Sequence, residues 1–268
     1  MRLMWILAAA LLLAVPSVGA ANKQDQNDIQ DAIIRCKAGI EANPNNPKTR
    51  LNLARAYLMS GDLNGAENEF KQAIKLSPDN GEGYVGLARA LIRKGDANGA
   101  LSALKSACRL EPNDSEVHYR LGQVLSRLQK NEDSIAEFRQ SIKLNPQYGP
   151  AHRDLGAALG MKQDLEGQLA EEKKALELTP SDPDVLFYLG SAYALTGDRK
   201  QALTNLHRCV ELDGKNAEAF HMLAGVTAAE GDFPAALKMA QTACELAPGD
   251  KIYKTTLQKI KAASDKNK

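Results

Sequence analysis

The chain has 268 residues, 44% of them apolar and 25% charged, with 34 Lys and Arg against 33 Asp and Glu. That balance fits a globular or helical-repeat protein and argues against disordered, collagen-like and multi-span membrane chains, while a net charge of +1 removes the basic excess that nucleic-acid binding usually shows. Four cysteines are too few in so long a chain for a disulfide-stapled mini-domain.

Residues 1–20 predict a cleaved export signal. One cation, Arg2, precedes an apolar run from Leu3 to Val15. Pro16 and Ser17 break the run, and Val18-Gly19-Ala20 supply the small residues that a signal peptidase accepts. The run is 13 residues long, short of the roughly 20 that a spanning helix needs. Cleavage after Ala20 is therefore expected, and a retained membrane anchor is the lesser alternative. A lipoprotein cut lacks its cysteine, because the first is Cys36. The mature chain would lose Arg2 and Trp5, the only tryptophan. It would keep no stable membrane span and reside in a periplasm or outside the cell.

The rest of the chain repeats every 34 residues. Pro44, Pro78, Pro112, Pro146 and Pro180 stand 34 apart, Gly214 takes the next slot and Pro248 the one after. A fixed period of this size signals a stacked array. Inside each unit the apolar spacing is helical. Leu53, Ala54 and Tyr57 make one stripe, and Ala66, Phe70, Ala73 and Ile74 make a second beyond Gly61-Asp62. The next unit repeats this with Tyr84, Leu87, Ala88 and Leu91, then Gly95-Asp96, then Ala100, Leu104, Ala107 and Cys108. Each unit is thus two amphipathic helices joined by a tight turn. Gly61, Gly95, Gly197 and Gly231 supply a permissive backbone there, and Asp62, Asp96, Asp198 and Asp232 can cap the second helix. Six units result: 47–80, 81–114, 115–148, 149–182, 183–216 and 217–250. A single capping helix near Asp28 to Ala42, within 21–46, precedes them, and a closing helix with a basic tail, 251–268, follows.

These residues resemble the tetratricopeptide repeat, a helix–turn–helix unit of the same length. That family has Leu then Gly or Ala in the first helix, matched by Leu53-Ala54, Leu87-Ala88, Leu121-Gly122, Leu155-Gly156, Leu189-Gly190 and Leu223-Ala224. Its second-helix pattern is matched by Ala66-Phe70-Ala73, Ala100-Leu104-Ala107, Ala202-Leu206-Cys209 and Ala236-Ala240-Ala243. The resemblance covers nearly all of the mature chain. It implies an all-α, right-handed α-solenoid whose first helices line a concave surface for an extended or helical peptide. Some members clamp a terminal carboxylate pair through Lys and Asn; those places here hold mainly Leu51, Arg55, Gly86 and Glu116, so that mode is not expected.

The fourth unit departs from the pattern, with Gln168 and Glu172 where a small residue and an aromatic belong. Four apart, they share a face. Side chains reaching past the interface to solvent are the plain expectation, with a weaker junction as the consequence.

Motifs for chemistry are absent or misplaced. Gly81, Gly83 and Gly86 spell G-x-G-x-x-G, but that fingerprint needs a preceding strand, and a helical repeat precedes it here. No P-loop, H-E-x-x-H or G-x-S-x-G occurs, and no catalytic, cofactor or metal site is expected. His118 and His152 fall one repeat apart at a helix-packing position, with no ligand spacing nearby. Cys36, Cys108, Cys209 and Cys244 fall on packing faces of second helices and are expected as buried free thiols. Asn113-Asp114-Ser115 is a single glycosylation sequon, common by chance.

A helical wheel places Leu51, Arg55, Arg89, Arg93, Tyr119, Arg120, Arg127 and Arg153 on the groove of units one to four. Phe187, Tyr188, Ser191, His221 and Met222 stand on that of units five and six. Arginine suits carboxylate recognition, and exposed aromatics and Met are typical anchors. The expected partner is a protein or peptide with an acidic segment on the first part and an apolar segment on the second. The chain reads as an exported, non-enzymatic interaction scaffold, in envelope or secretion-related assembly. The alternatives are a structural subunit that self-associates and an accessory protein that handles glycan or lipid.

Overall fold

A computed structural model describes residues 23–267; residues 1–22, which carry the export signal expectation, lie outside them. Among the described residues there are fourteen helices and no strand, in two compact units divided after Pro146. The first unit holds α1 (Lys23–Ala42), α2 (Pro47–Ser60), α3 (Leu63–Leu76), α4 (Gly81–Lys94), α5 (Ala97–Leu110), α6 (Ser115–Arg127) and α7 (Asn131–Leu144). The second holds α8 (Gly149–Met161), α9 (Leu165–Leu178), α10 (Pro183–Thr196), α11 (Arg199–Leu212), α12 (Ala217–Ala229), α13 (Phe233–Leu246) and α14 (Lys251–Lys266). Within each unit every helix packs on its sequence neighbours, more extensively inside a repeat than between repeats.

Short polar residues start these helices. Asp62, Asp96, Asp164, Asp198 and Asp232 each accept a backbone N–H in the first turn of a second helix. Five of the six first helices are capped in the same way, by Asn46, Asn80, Asp114, Asp182 and Asn216, a set the sequence pattern had not singled out. The turn glycines Gly61, Gly95, Gly197 and Gly231 adopt φ of 83–88°. Two repeats put glutamine in that slot: Gln129 at φ 58° and Gln163 at φ 66°. A side chain there costs about 1–2 kcal/mol against the ordinary helical hand, partly offset by glycine's greater unfolded freedom. Gln163→Gly should therefore raise stability by about 0.5–1 kcal/mol in urea melts.

The inter-repeat prolines do more than interrupt helices. Their carbonyls accept from a side chain six residues on: Arg50 Nε to Pro44 (3.2 Å), Tyr84 Oη to Pro78 (3.1 Å) and His118 Nε2 to Pro112 (3.0 Å). The same position also reaches across the repeat to a second-helix glutamate. Arg50 meets Glu69 at 2.8 Å, His118 Nδ1 meets Glu137 at 2.6 Å and His152 Nδ1 meets Glu171 at 2.7 Å. The histidines thus do have carboxylates beside them, as helix-to-helix ties. Among the described residues no group of three or more His, Cys, Asp or Glu is placed to hold a metal ion.

In the first unit the cores are built from Leu51, Leu58 and Phe70 around α2–α4, and from Leu91, Leu104, Leu121 and Leu125 around α4–α6. Close approach depends on glycine at the first-helix positions under large rings. A Cβ on Gly86 would stand 2.1 Å from the Phe70 ring, and one on Gly122 would stand 2.6 Å from that of Phe138. The G-x-G-x-x-G string is therefore a packing surface inside α4, which follows a helix. All four thiols are free, but only Cys209 is buried; Cys36, Cys108 and Cys244 are half-buried, at the edges of the stripes. Burial pushes the Cys108 thiol up to about 11 and that of Cys209 to about 12, helped by neighbouring carboxylates.

In the second unit Leu186, Phe187, Leu206 and Leu223 form the main core. Gln168 and Glu172 do not reach solvent as expected: they are 1% and 0% exposed. They lie over glycines, where a Cβ on Gly160 would stand 2.4 Å from Gln168 Oε1 and one on Gly156 would stand 2.7 Å from Glu172 Oε1. The missing Cβ atoms make room for them, so the polar groups are trapped inside the repeat. Gln168 donates one bond of 3.4 Å to the Tyr188 carbonyl, while its Oε1 and both oxygens of Glu172 lack hydrogen-bond partners among the described residues. At the far end α14 packs on α13 and α12 and buries Tyr253 and Ile260, leaving most of its lysines exposed.

Candidate functional site

The first helices of the first unit, α2, α4 and α6, expose Arg55, Arg89, Arg93 and Arg127, with Arg120 half-buried. Among them lies a cleft of about 310 Å³ with Val85 and Gly86 on its wall and Arg55, Arg89 and Arg120 around it. Its charges are largely paired within the chain. Arg55 forms an ion pair with Glu82 across the repeat boundary and donates to Asn52 Oδ1 at 3.2 Å. Arg120 Nε donates to Glu116 one turn earlier, at 2.9 Å. Arg93 donates to the carbonyl of Leu58.

Arg89 is different. It makes no hydrogen bond or ion pair among the described residues, although it lines the cleft. Partial burial lowers its pKa first, and the like charges of Arg120, Arg55 and Arg93 add to this against the opposing pull of Glu116. Arg127 is exposed but stands outside the cleft lining. Tyr119 and Leu51, read as groove residues, are core instead, 7% and 3% exposed. The Tyr119 ring packs 6.0 Å from Phe138, and its hydroxyl accepts from Gln123 at 2.7 Å. Leu51 is covered by the next repeat at Gly83, and Tyr119 by Phe138 on the second helix of its own repeat.

The second unit corrects the expected groove more fully. Arg153 is surrounded by carboxylates: Asp154 at 3.0 Å, Asp182 at 3.0 Å and Asp184 at 3.7 Å. It is a structural counter-ion, and burial still holds Asp184 above its usual range against the pull of Arg153. Phe187 is 4% exposed in the core, in a T-shaped contact 5.4 Å from the Tyr188 ring. Tyr188 and Met222 are only half-exposed and pack on that same core, and Ser191 is fully buried. His221 is buried beneath α14, stacked 4.7 Å from Tyr253 with Nε2 3.0 Å from Thr256 Oγ1. The closing helix covers it as another repeat's first helix would. Of the residues expected to form the apolar half of the groove, Phe187, Ser191 and His221 are interior and Tyr188 and Met222 half-buried.

Sequence reasoning counted Glu82 and Glu116 among the groove residues but missed the pairs Arg55–Glu82 and Arg120–Glu116, and it did not single out Glu111. A signal for one of them existed. Arg55–Glu82 and Lys94–Glu67 are both separated by 27 residues, so opposite charges at that spacing mark pairs across a repeat boundary.

Tetratricopeptide-repeat models match residues 51–115, residues 24–70 and 91–159, and residues 184–215. No curated protein sequence matches significantly. Among solved structures, the APC/C hetero-tetramer Cut9–Hcn1 is similar with a TM-score of 0.73 at 18% identity, covering 88% of this chain and 46% of that one. This chain therefore spans about half that relative's length. PilW, described as a type IV pilus biogenesis factor, gives 0.68 at 19% identity over 80% and 97% of the two chains. YrrB, described as a protein with an unusual peptide-binding site, gives 0.60 at 22% over 71% and 98%. At such identities these likenesses speak for the fold alone. With its paired helices at a fixed period, its glycine turns and these matches, the chain belongs to the tetratricopeptide-repeat family.

Proposed function

We propose that this chain is an exported, non-enzymatic scaffold that holds a polypeptide partner against the first-helix face of its first unit. The observation that carries the reading is Arg89, a cation without a hydrogen-bond or ion-pair partner among the described residues, lining a cleft built from three successive first helices. A peptide-binding site in YrrB and pilus biogenesis by PilW are in keeping with a polypeptide partner and an envelope setting. Export rests on the arginine, the 13-residue apolar run and the small residues before Ala21. No helix among the described residues is long and apolar enough to cross a membrane. Phe187 and His221, two of the rings that a glycan- or lipid-handling surface would use, lie in the core.

The test places a photo-crosslinking amino acid at Val85 in the cleft or at Lys105 on a second helix, in chain recovered from the extracytoplasmic fraction of its own host. The recovered chain should begin at Ala21. A discrete heterologous adduct is expected from Val85 and none from Lys105, and Arg89→Glu should abolish it. Adducts equal from both positions, or adducts of the chain with itself alone, would overturn the scaffold reading in favour of self-association.

A further inference from the structure

The charges in the cleft are arranged more selectively than on a basic surface. Arg55 and Glu82 neutralise each other, as do Arg120 and Glu116, and Asp114 is committed to capping α6. Two lining charges are left. One is Arg89; the other is Glu111, whose carboxylate makes no hydrogen bond or ion pair among the described residues. That carboxylate lies against Gly81 at the start of α4, where a Cβ would stand 2.3 Å from its Oε1. The N-terminal end of a helix dipole favours an anion there, so Glu111 is held in place without a counter-cation.

We propose that the cleft binds a mixed-charge segment of a partner polypeptide, with one Asp or Glu side chain on Arg89 and one Lys or Arg side chain on Glu111. This rests on the scaffold reading and narrows it. Guanidinium presents paired N–H groups that match both oxygens of a carboxylate. Glu111 offers only acceptors and so takes a cationic donor. The like charges already crowding Arg89 are relieved when a carboxylate arrives. A run of acidic residues is a poor occupant, because Glu82, Glu111, Asp114 and Glu116 line the cleft against three arginines and would repel a second carboxylate. The acidic segment expected from the sequence is thus reduced to one acidic residue beside a basic one.

Fluorescence anisotropy with the full chain tests this, using three pools of end-blocked, labelled heptapeptides in an Ala, Ser and Val background. One pool carries one Asp and one Lys at all placements, one carries two Asp and no Lys, and one is uncharged. The mixed pool should bind about tenfold tighter than the two-Asp pool, and Arg89→Gln should remove about tenfold of that binding. Arg89→Glu alone should abolish mixed-pool binding, while the swapped pair Arg89→Glu with Glu111→Arg should restore it, since the pool contains both charge orders. Equal or tighter binding of the two-Asp pool, no effect of Arg89→Gln, failure of the swap, or no binding by any pool overturns the proposal. Circular dichroism confirms that the variants keep their helices; Arg89 is exposed and makes no hydrogen bond or ion pair among the described residues, so its replacement breaks neither. If the pools fail while Val85 still crosslinks a partner, the mixed-charge ligand falls and the scaffold stands; a silent Val85 brings down the scaffold reading itself.

Discussion

Glu172→Leu should stabilise the second unit by on the order of 2–4 kcal/mol at neutral pH. Glu172 is fully buried with neither oxygen hydrogen-bonded, and leucine fits its place: in the next repeat Leu206 occupies the equivalent position, packed over Gly190 as Glu172 is over Gly156. The gain should also depend on pH. Burial raises the Glu172 pKa well above 4.5, with Arg153 on α8 opposing and Asp154, Asp182 and Asp184 reinforcing the rise. A group whose folded pKa is raised binds its proton more tightly when folded. Its contribution to stability is full below the unfolded value near 4.5 and is lost as pH rises through the folded value. The difference between Glu172→Leu and wild type in urea melts should therefore widen from mildly acidic to alkaline pH. Glu172→Gln should show a smaller gain that widens in parallel, since the widening comes from the wild-type carboxyl while the amide keeps unpaired polar atoms without a charge. A difference that stays constant across pH would show that Glu172 is ionised throughout and solvated.

Phe138→Ala should cost about 3–5 kcal/mol, because the ring is 1% exposed and fills the space over Gly122. Gly122→Ala should cost about 1–3 kcal/mol by forcing that ring aside. Combining Gly122→Ala with Phe138→Leu should recover most of the latter loss, since the second repeat already pairs Ala88 with Leu104 at the corresponding places. Thermal melts of wild type, Gly122→Ala, Phe138→Leu and their combination form a double-mutant cycle, and strict additivity would refute the contact. Repeats interact mainly with their neighbours, so hydrogen exchange should rise first in α6 and α7.

The architecture was legible in the sequence because it is written in local patterns. The turn glycines, the aspartates after them and the alternation of Leu-Gly with Ala-x-x-x-Phe are each decided within one helical hairpin. The site was less legible because it depends on contacts between hairpins. Arg153 looked like a groove cation until Asp182 and Asp184, from the start of α10, were found beside it. Phe187 and His221 lie on first helices, and only the cover supplied by neighbouring helices makes them interior. Gln168 and Glu172 failed differently. Their polarity argued for solvent, but Gly160 and Gly156 on the facing helix had made a space that admits them.

The position of α14 bears on how such a chain can change length. It covers the last hairpin from the place where another first helix would lie, with an Asp250 cap matching those of the earlier first helices. A duplicated 34-residue cassette placed ahead of it would present the same apolar face to the same cover. Growth by whole cassettes therefore needs no new sealing surface, whereas an insertion of any other length would turn that face away from its lid.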